Sequence, residues 1–291
     1  MSAGVGARTR DFASLVKLSH SVFALPFALL ALLTASHGAP GVPVLLLVIG
    51  AVVAARTAAM AYNRLADREI DAANPRTAGR EIPRGAVSPK AALGLTAVAG
   101  AVFLACCWGL GPVCAAMGVP TLAWLLAYSH IKRISWLCHV WLGVALGLAP
   151  IAAWVAAEGD FTWRTLQAVV LGAGVTAWVA GFDVLYACQD EAFDRERGLH
   201  SIPARFGAAA AMWGSRLLHV GAAAAFVWFG LITGLDGAFL VGVGLSVLLL
   251  VWQHRLLRPD DLSRIDMAFF TANGTIAVVL LLFGCIDLYL L

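Results

Sequence analysis

The chain has 291 residues, of which 61% are hydrophobic and only 13% charged, with a mean hydropathy of +0.85 and a formal net charge of +3. A soluble domain carries roughly 25% charged residues, so this composition leaves too little polar surface to face water on all sides. The small charge, with no basic face, excludes a nucleic-acid footprint, and the lack of long apolar–polar alternation excludes a membrane β-barrel.

In chain order, Arg8 and Arg10 precede an apolar run that ends in Ala35-Ser36-His37-Gly38-Ala39, the outline of a secretory leader. Pro26 inside the run, with Asp11 and Lys17 before it, argues against cleavage. Apolar stretches then fall near 18–36, 42–62, 91–110, 112–128, 136–156, 165–187, 208–232, 237–253 and 267–291. Each is about the length needed to cross a bilayer. The expectation is an all-α integral membrane bundle of nine transmembrane helices around a central cavity, with residues 1–291 as a single domain. With the N-terminus in the cytoplasm, every Lys and Arg except Arg56, Arg164 and Arg216 falls in a cytoplasmic segment. That is a strong positive-inside bias. Arg216 reads as a snorkelling side chain. None of the six cysteines forms a Cys-x-x-Cys pair, so neither a thiolate metal site nor a disulfide framework is expected.

Two charged segments stand out. After the second span, Asn63, Asp67 and Asp71 recur every four residues, followed by Arg76 and Arg80. After the sixth, Asp190 and Asp194 are again four apart, with Asp183 seven residues earlier. Spacing by four places each set on one helical face. Both segments follow even-numbered spans, so both open on the same side, as an internal pseudo-repeat would. Two carboxylate pairs at a polar–apolar boundary suit Mg²⁺, which takes few carboxylates and fills its shell with water and substrate phosphates. Arg76, Arg80, Lys132 and Arg133 would clamp a diphosphate, and the bundle interior would take a long hydrocarbon. Arg56 lies inside the second span, on the stripe of Asn63, and Asp183 lies inside the sixth. Ionisable residues within a span mark a functional path. Gly143 and Gly147 in the fifth span read as close helix packing, and His139 as a satisfied interior histidine.

These residues resemble the UbiA superfamily of intramembrane prenyltransferases over nearly the whole chain. The resemblance rests on Asn63-x-x-x-Asp67-x-x-x-Asp71 with Arg76-Thr77-x-x-Arg80, on Tyr128 with Lys132-Arg133, and on Asp190-x-x-x-Asp194 with Gly198 and Ser201. Lys17 to Phe27 and Arg56 to Asn63 look like the 4-hydroxybenzoate polyprenyltransferase type, close to the subgroup of the futalosine route to menaquinone. The resemblance implies a bundle open sideways to lipid and two Mg²⁺ ions on Asp67, Asp71, Asp190 and Asp194. It implies transfer of a polyprenyl chain from its diphosphate to 4-hydroxybenzoate or a naphthoate-type acid, in the inner membrane, with the mouth facing the cytoplasm. Lys17, Arg56, Asn63, Arg76, Arg80, Lys132 and Arg133 are then the substrate-binding residues. Tyr128, and more weakly Tyr186, would face an allylic cation, and Asp183 would take the ring proton. Two positions depart from the pattern: Glu81 follows Arg80 where many relatives have proline, and Lys17 stands where relatives often have arginine. The rival reading from the residues is a transporter with carboxylates as an ion relay, which would place them near the midplane on broken helices. A soluble isoprenoid synthase would share the aspartates but not this composition. A structural membrane subunit would need neither aspartate pair.

Overall fold

The computed structural model describes Leu15 and residues 23–291; Lys17 and the other residues of the N-terminal segment lie outside the described residues. Among the described residues the regular structure is all helical, with turns between the helices and one isolated bridge between Arg258 and Asp261. The helices are α1 (Leu25–Ala35), α2 (Val42–Ala66), α3 (Arg68–Ala73), α4 (Pro89–Gly109), α5 (Pro112–Ile131) and α6 (Cys138–Glu158). They continue as α7 (Thr165–Ala187), α8 (Glu191–Glu196), α9 (Ile202–Phe206), α10 (Ala208–Thr233), α11 (Ala238–Leu256) and α12 (Asn273–Leu290). Eight of the resulting segments are long and apolar enough to cross a membrane, and α1 adds an eleven-residue apolar helix. The chain is therefore a multi-pass membrane bundle. Its outward faces carry Trp108, Leu217, Leu248 and Val98, each more than 60% exposed, a surface suited to lipid and not to water.

The ends of the spans follow from local chemistry. Pro43, Pro89 and Pro112 stand in first turns, where a missing N–H costs nothing. Ser88 caps α4 by accepting from the Ala91 N–H at 3.2 Å. Gly159 closes α6 with φ +81°. The last span does not start as a regular α-helix: Met267–Ala272 forms a π turn. There the Asn273 side chain donates to the Phe269 carbonyl and accepts from the Trp178 indole N–H at 3.1 Å.

Helix α7 is the most buried span and runs through the centre. It meets α6 at very close range. A Cβ on Gly147 would lie 2.3 Å from Thr176 Oγ1 and 2.5 Å from the Gly172 carbonyl, and one on Gly143 would lie 2.4 Å from the Thr176 carbonyl. The two glycines are thus the small-residue contact that lets helix backbones approach in lipid. Arg216 lies over the Trp213 ring, 4.5 Å from its centroid. All six cysteines are free.

Candidate active site

Both aspartate motifs sit where a long helix breaks. Helix α2 ends at Ala66 and α3 starts at Arg68, with Asp67 between them at φ −95°, ψ 8°. Helix α7 ends at Ala187, a 3-10 turn covers Cys188–Asp190, and Asp190 precedes α8 at φ −101°, ψ 5°. The first aspartate of each motif thus adopts the same bridge-region conformation, one common at active sites. The backbone still climbs with helical spacing through the first break, since Asp67 N bonds Asn63 O at 2.9 Å and Asp71 N bonds Asp67 O at 2.7 Å. This keeps Asn63, Asp67 and Asp71 on one face.

The two motifs meet. Arg76, from the first, holds both oxygens of Asp190, from the second, through Nε at 3.0 Å and a terminal nitrogen at 2.5 Å. Asn74 Nδ2 donates to Asp190 Oδ1 at 2.9 Å. Arg80 reaches Asp71 at 2.6 Å, Arg133 reaches Asp67 at 2.9 Å, and Lys132 reaches Asp194 at 2.7 Å. Each motif aspartate therefore has one cationic partner, and the four cations are those the sequence assigns to a diphosphate. Gly198 makes one of these pairings possible. Its φ of +65° turns the chain back so that Leu199 N bonds Asp194 O and His200 N bonds Lys132 O at 2.7 Å, which sets Lys132 beside Asp194.

Burial charges this cluster strongly. Asp71, Asp190 and Asp194 are at most 7% exposed. Burial pushes the Asp67 carboxyl above the ordinary range; the Arg133 hydrogen bond opposes this and the Asp71 charge adds to it. Burial works to lower the Arg76 pKa, but its hydrogen bond to Asp190 and the charge there more than reverse this and leave it raised.

The residues fit a hard divalent cation. Asp71 Oδ2 and both Asp194 oxygens are buried with no hydrogen-bond donor; Lys132 touches Asp194 Oδ1 as an ion contact without hydrogen-bond geometry. One carboxylate of each motif thus keeps an oxygen that lacks a donor, and the donor set is all oxygen, as Mg²⁺ prefers. No three His, Cys, Asp or Glu side chains converge on one point among the described residues. Each motif offers a pair, which leaves the rest of a coordination shell to phosphate and water.

Beyond the aspartates, an elongated cavity of about 360 Å³ runs between α2, α4, α5 and α6. Arg56, Asn63, Thr121 and Tyr128 supply its polar groups, and the end away from the motifs is apolar. Asn63 also donates to Asp67 Oδ2 at 2.8 Å, joining cavity to motif. Arg56 Nε is buried with no hydrogen-bond partner. Asp183, a possible partner for it, is taken by His139 instead, at 2.7 Å from Nδ1 to Oδ2. The Ile202 N–H donates to His139 Nε2 at 3.3 Å, so the proton sits on Nδ1 and points at Asp183. Asp183 is not among the residues lining the cavity, so the structure holds it at one remove from the space the sequence reading put it in. Tyr186 likewise stands at the mouth, its hydroxyl accepting from Arg76 at 3.3 Å.

Two residues of this region escape sequence reasoning. Asn74 fastens Asp190. Arg64, 3% exposed, lies in the field of Asp71, Glu81 and Asp67. Arg64 stands seven residues before Asp71, two helical turns, and that spacing was the available signal. His139, read from sequence as a satisfied interior histidine, is buried with both ring nitrogens engaged, and the partner it fastens is Asp183. No span among the described residues is interrupted at mid-depth, so the broken helices of an ion relay are not seen.

Residues 24–274 match the model of the UbiA prenyltransferase family. The 4-hydroxybenzoate octaprenyltransferase of Shewanella denitrificans is 29% identical over 245 residues, covering 84% of this chain and 82% of that one. That of Xanthomonas campestris pv. campestris is 30% identical over 243 residues, covering 84% and 79%. Among solved structures, an apo UbiA homolog from Aeropyrum pernix K1 superposes with a TM-score of 0.84 at 34% identity, over 92% of this chain and 98% of that one. A UbiA homolog from Archaeoglobus fulgidus bound to DMAPP and Mg²⁺ shares the fold, with a TM-score of 0.71 at 15% identity over 97% and 100%.

Proposed function

The chain belongs to the UbiA prenyltransferase family, and on that premise we propose that it moves a polyprenyl chain from its diphosphate to an aromatic acid, 4-hydroxybenzoate or a naphthoate-type acid, in quinone biosynthesis. The names of its relatives support a polyprenyl donor and 4-hydroxybenzoate as the acceptor. The observation that carries the acceptor is Arg56: a buried guanidinium on the wall of an apolar cavity, with a nitrogen that lacks a partner. A carboxylate entering such a cavity needs a cation, and a guanidinium can hold it in two parallel hydrogen bonds.

Asp67, Asp71, Asp190 and Asp194 would hold Mg²⁺, which when bound neutralises the diphosphate as it departs. Arg76, Arg80, Lys132 and Arg133 exchange their aspartates for phosphate oxygens. Asn63 orients Asp67 at the boundary between mouth and cavity. The allylic carbon becomes cationic as the carbon–oxygen bond breaks, and the Tyr128 ring on the cavity wall faces it. The acceptor ring attacks beside its hydroxyl group, and the ring proton passes to Asp183, which its hydrogen bond to His139 orients. The apolar wall excludes water that would quench the cation. The positive-inside bias supports a cytoplasmic mouth, in the inner membrane. Residues 1–291 act as one domain in this reading.

Purified protein in detergent, given radiolabelled prenyl diphosphate and a panel of aromatic acids, should yield a prenylated acid with Mg²⁺ and none with excess EDTA. Failure with every acid, or product formation undiminished by EDTA, would overturn the proposal.

A further inference from the structure

A second concavity lies on the outside of the bundle, and a cation without a carboxylate stands at its motif end. We propose that this face binds an anionic phospholipid from the leaflet on the motif side. One acyl chain lies in the groove between α6 and α10, and the phosphodiester rests on Arg205.

The groove holds about 350 Å³. Its floor is α7, where Gly172, Ala173 and Ala177 present little or no side chain, and its walls are Val140 to Ile151 on α6 and Leu218 on α10. Thr176 is the one polar side chain in its lining. Val140 and Val169 line it and are exposed as well, so it opens outward to lipid. Val140 and Ile151 are eleven residues apart, about 16 Å at the α-helical rise. One leaflet contributes about half of a hydrocarbon core some 30 Å thick, so the groove matches the depth of a single acyl chain.

The head end is built from two connections. Trp136 stands four residues before Val140, and Phe206 ends α9 just before α10. Their rings meet edge to face with centroids 5.6 Å apart, bridging the two walls at the motif end of the groove. The Arg205 guanidinium lies over both rings, 5.7 Å from the Trp136 centroid and 5.3 Å from that of Phe206. Its neighbours Lys132, Arg133 and Arg195 hold Asp194, Asp67 and Glu191. Arg205 is exposed and has no carboxylate partner among the described residues. Aromatic rings suit the headgroup level, a planar guanidinium suits a phosphodiester, and basic sites between spans at this level take anionic headgroups. The two connections are joined before any lipid arrives: His200 N bonds Lys132 O at 2.7 Å, and the Cys138 thiol donates to the His200 carbonyl at 3.5 Å. A free phosphate would leave the groove empty, and an uncharged lipid would leave Arg205 unpaired; an anionic phospholipid uses both.

Purified protein is equilibrated in detergent with equal amounts of phosphatidylglycerol and phosphatidylcholine of the same chains, and retained lipid is counted by native mass spectrometry. Wild type should favour phosphatidylglycerol by about tenfold, the scale of a hydrogen bond to a charged group. Arg205→Gln should bring the two lipids to parity. Ala173→Phe, at an exposed position of the floor, should lower the retention of both. Unchanged retention in either variant overturns the proposal. Arg216 is the control, because it also lies over a ring, that of Trp213, but lines no part of the groove. If Arg216→Gln removes the preference as fully as Arg205→Gln, general surface charge and not this site is responsible. A second measurement needs no variant: phosphatidylglycerol with a mid-chain diazirine should label residues 140–151 or 169–180. A label there that a prenyl diphosphate displaces would give the groove to a donor tail, and a dimer left unlabelled there would give it to a second copy; either result overturns the proposal.

Discussion

Asp194 shows how much of this site is electrostatic compensation. It is 0% exposed, has no hydrogen-bond donor on either oxygen, and depends on Lys132. Removing one partner of a buried pair is costly because the other charge remains. Lys132→Met should therefore destabilise the protein by on the order of 3 kcal/mol in EDTA, and Mg²⁺ should restore part of the loss; equal melting temperatures of wild type and variant in EDTA would refute this. Asp67→Asn and Asp190→Asn should abolish turnover while leaving the protein foldable, because each keeps its shape and loses a charge the metal requires. Normal activity in either would remove that motif from the metal site. Arg56→Leu should raise the acceptor KM by about ten- to a hundredfold, the equivalent of ~1.5–3 kcal/mol for a hydrogen bond to a charged group, with far less effect on the prenyl diphosphate. Equal weakening of both substrates would mean that Arg56 serves the fold. The spacing of the aspartates was legible from sequence, and so was the isolation of Arg56 in a span. The pairing of each aspartate with a particular cation was not, because Arg76 and Asp190 are 114 residues apart and nothing local couples them.

Among elements, the informative event is the helix break at each motif. Equal spacing by four suggested continuous helices, whereas Asp67 and Asp190 both stand at a junction with ψ near zero. Sequence patterns report the period of a helix but not a single residue that leaves it. Gly198 shows the same limit from the other side: a glycine is visible, but its φ of +65° and its part in bringing Lys132 to Asp194 come from the fold. Gly198→Val forces a β-branched residue into the left-handed region, at about 1–2 kcal/mol or more, and should lower activity more than it lowers the melting temperature. Helix packing was easier to foresee. Gly147→Leu would drive side-chain atoms into Thr176 and the Gly172 carbonyl, and overpacking of this kind costs roughly 1–3 kcal/mol; an unshifted melting temperature in detergent would contradict the contact.

For the whole molecule, the governing asymmetry is that charge collects at one end and hydrocarbon space at the other. All four motif aspartates and their four cations lie at the same end of the bundle, joined across the two motifs by Arg76 and Asn74. If that end faces the cytoplasm, as the charge bias supports, a cysteine at Ala78 or Leu199 in a variant without the native cysteines should react with a membrane-impermeant maleimide from the cytoplasmic side only. Labelling of the two positions from opposite sides would break the shared mouth.

The sequence by itself determined the spans, their common polarity and the two carboxylate pairs, because each is a local property: hydropathy over about twenty residues, the sign of charge in a connecting segment, and a spacing of four. The tertiary structure alone decided which face of each span borders the cavity, and that Asp183 belongs to His139 and not to Arg56. The physical reason is the solvent. In water an apolar stripe marks the buried face of a helix, but in lipid the outer face is as apolar as the inner one, so the pattern that identifies a span cannot say which way it is turned.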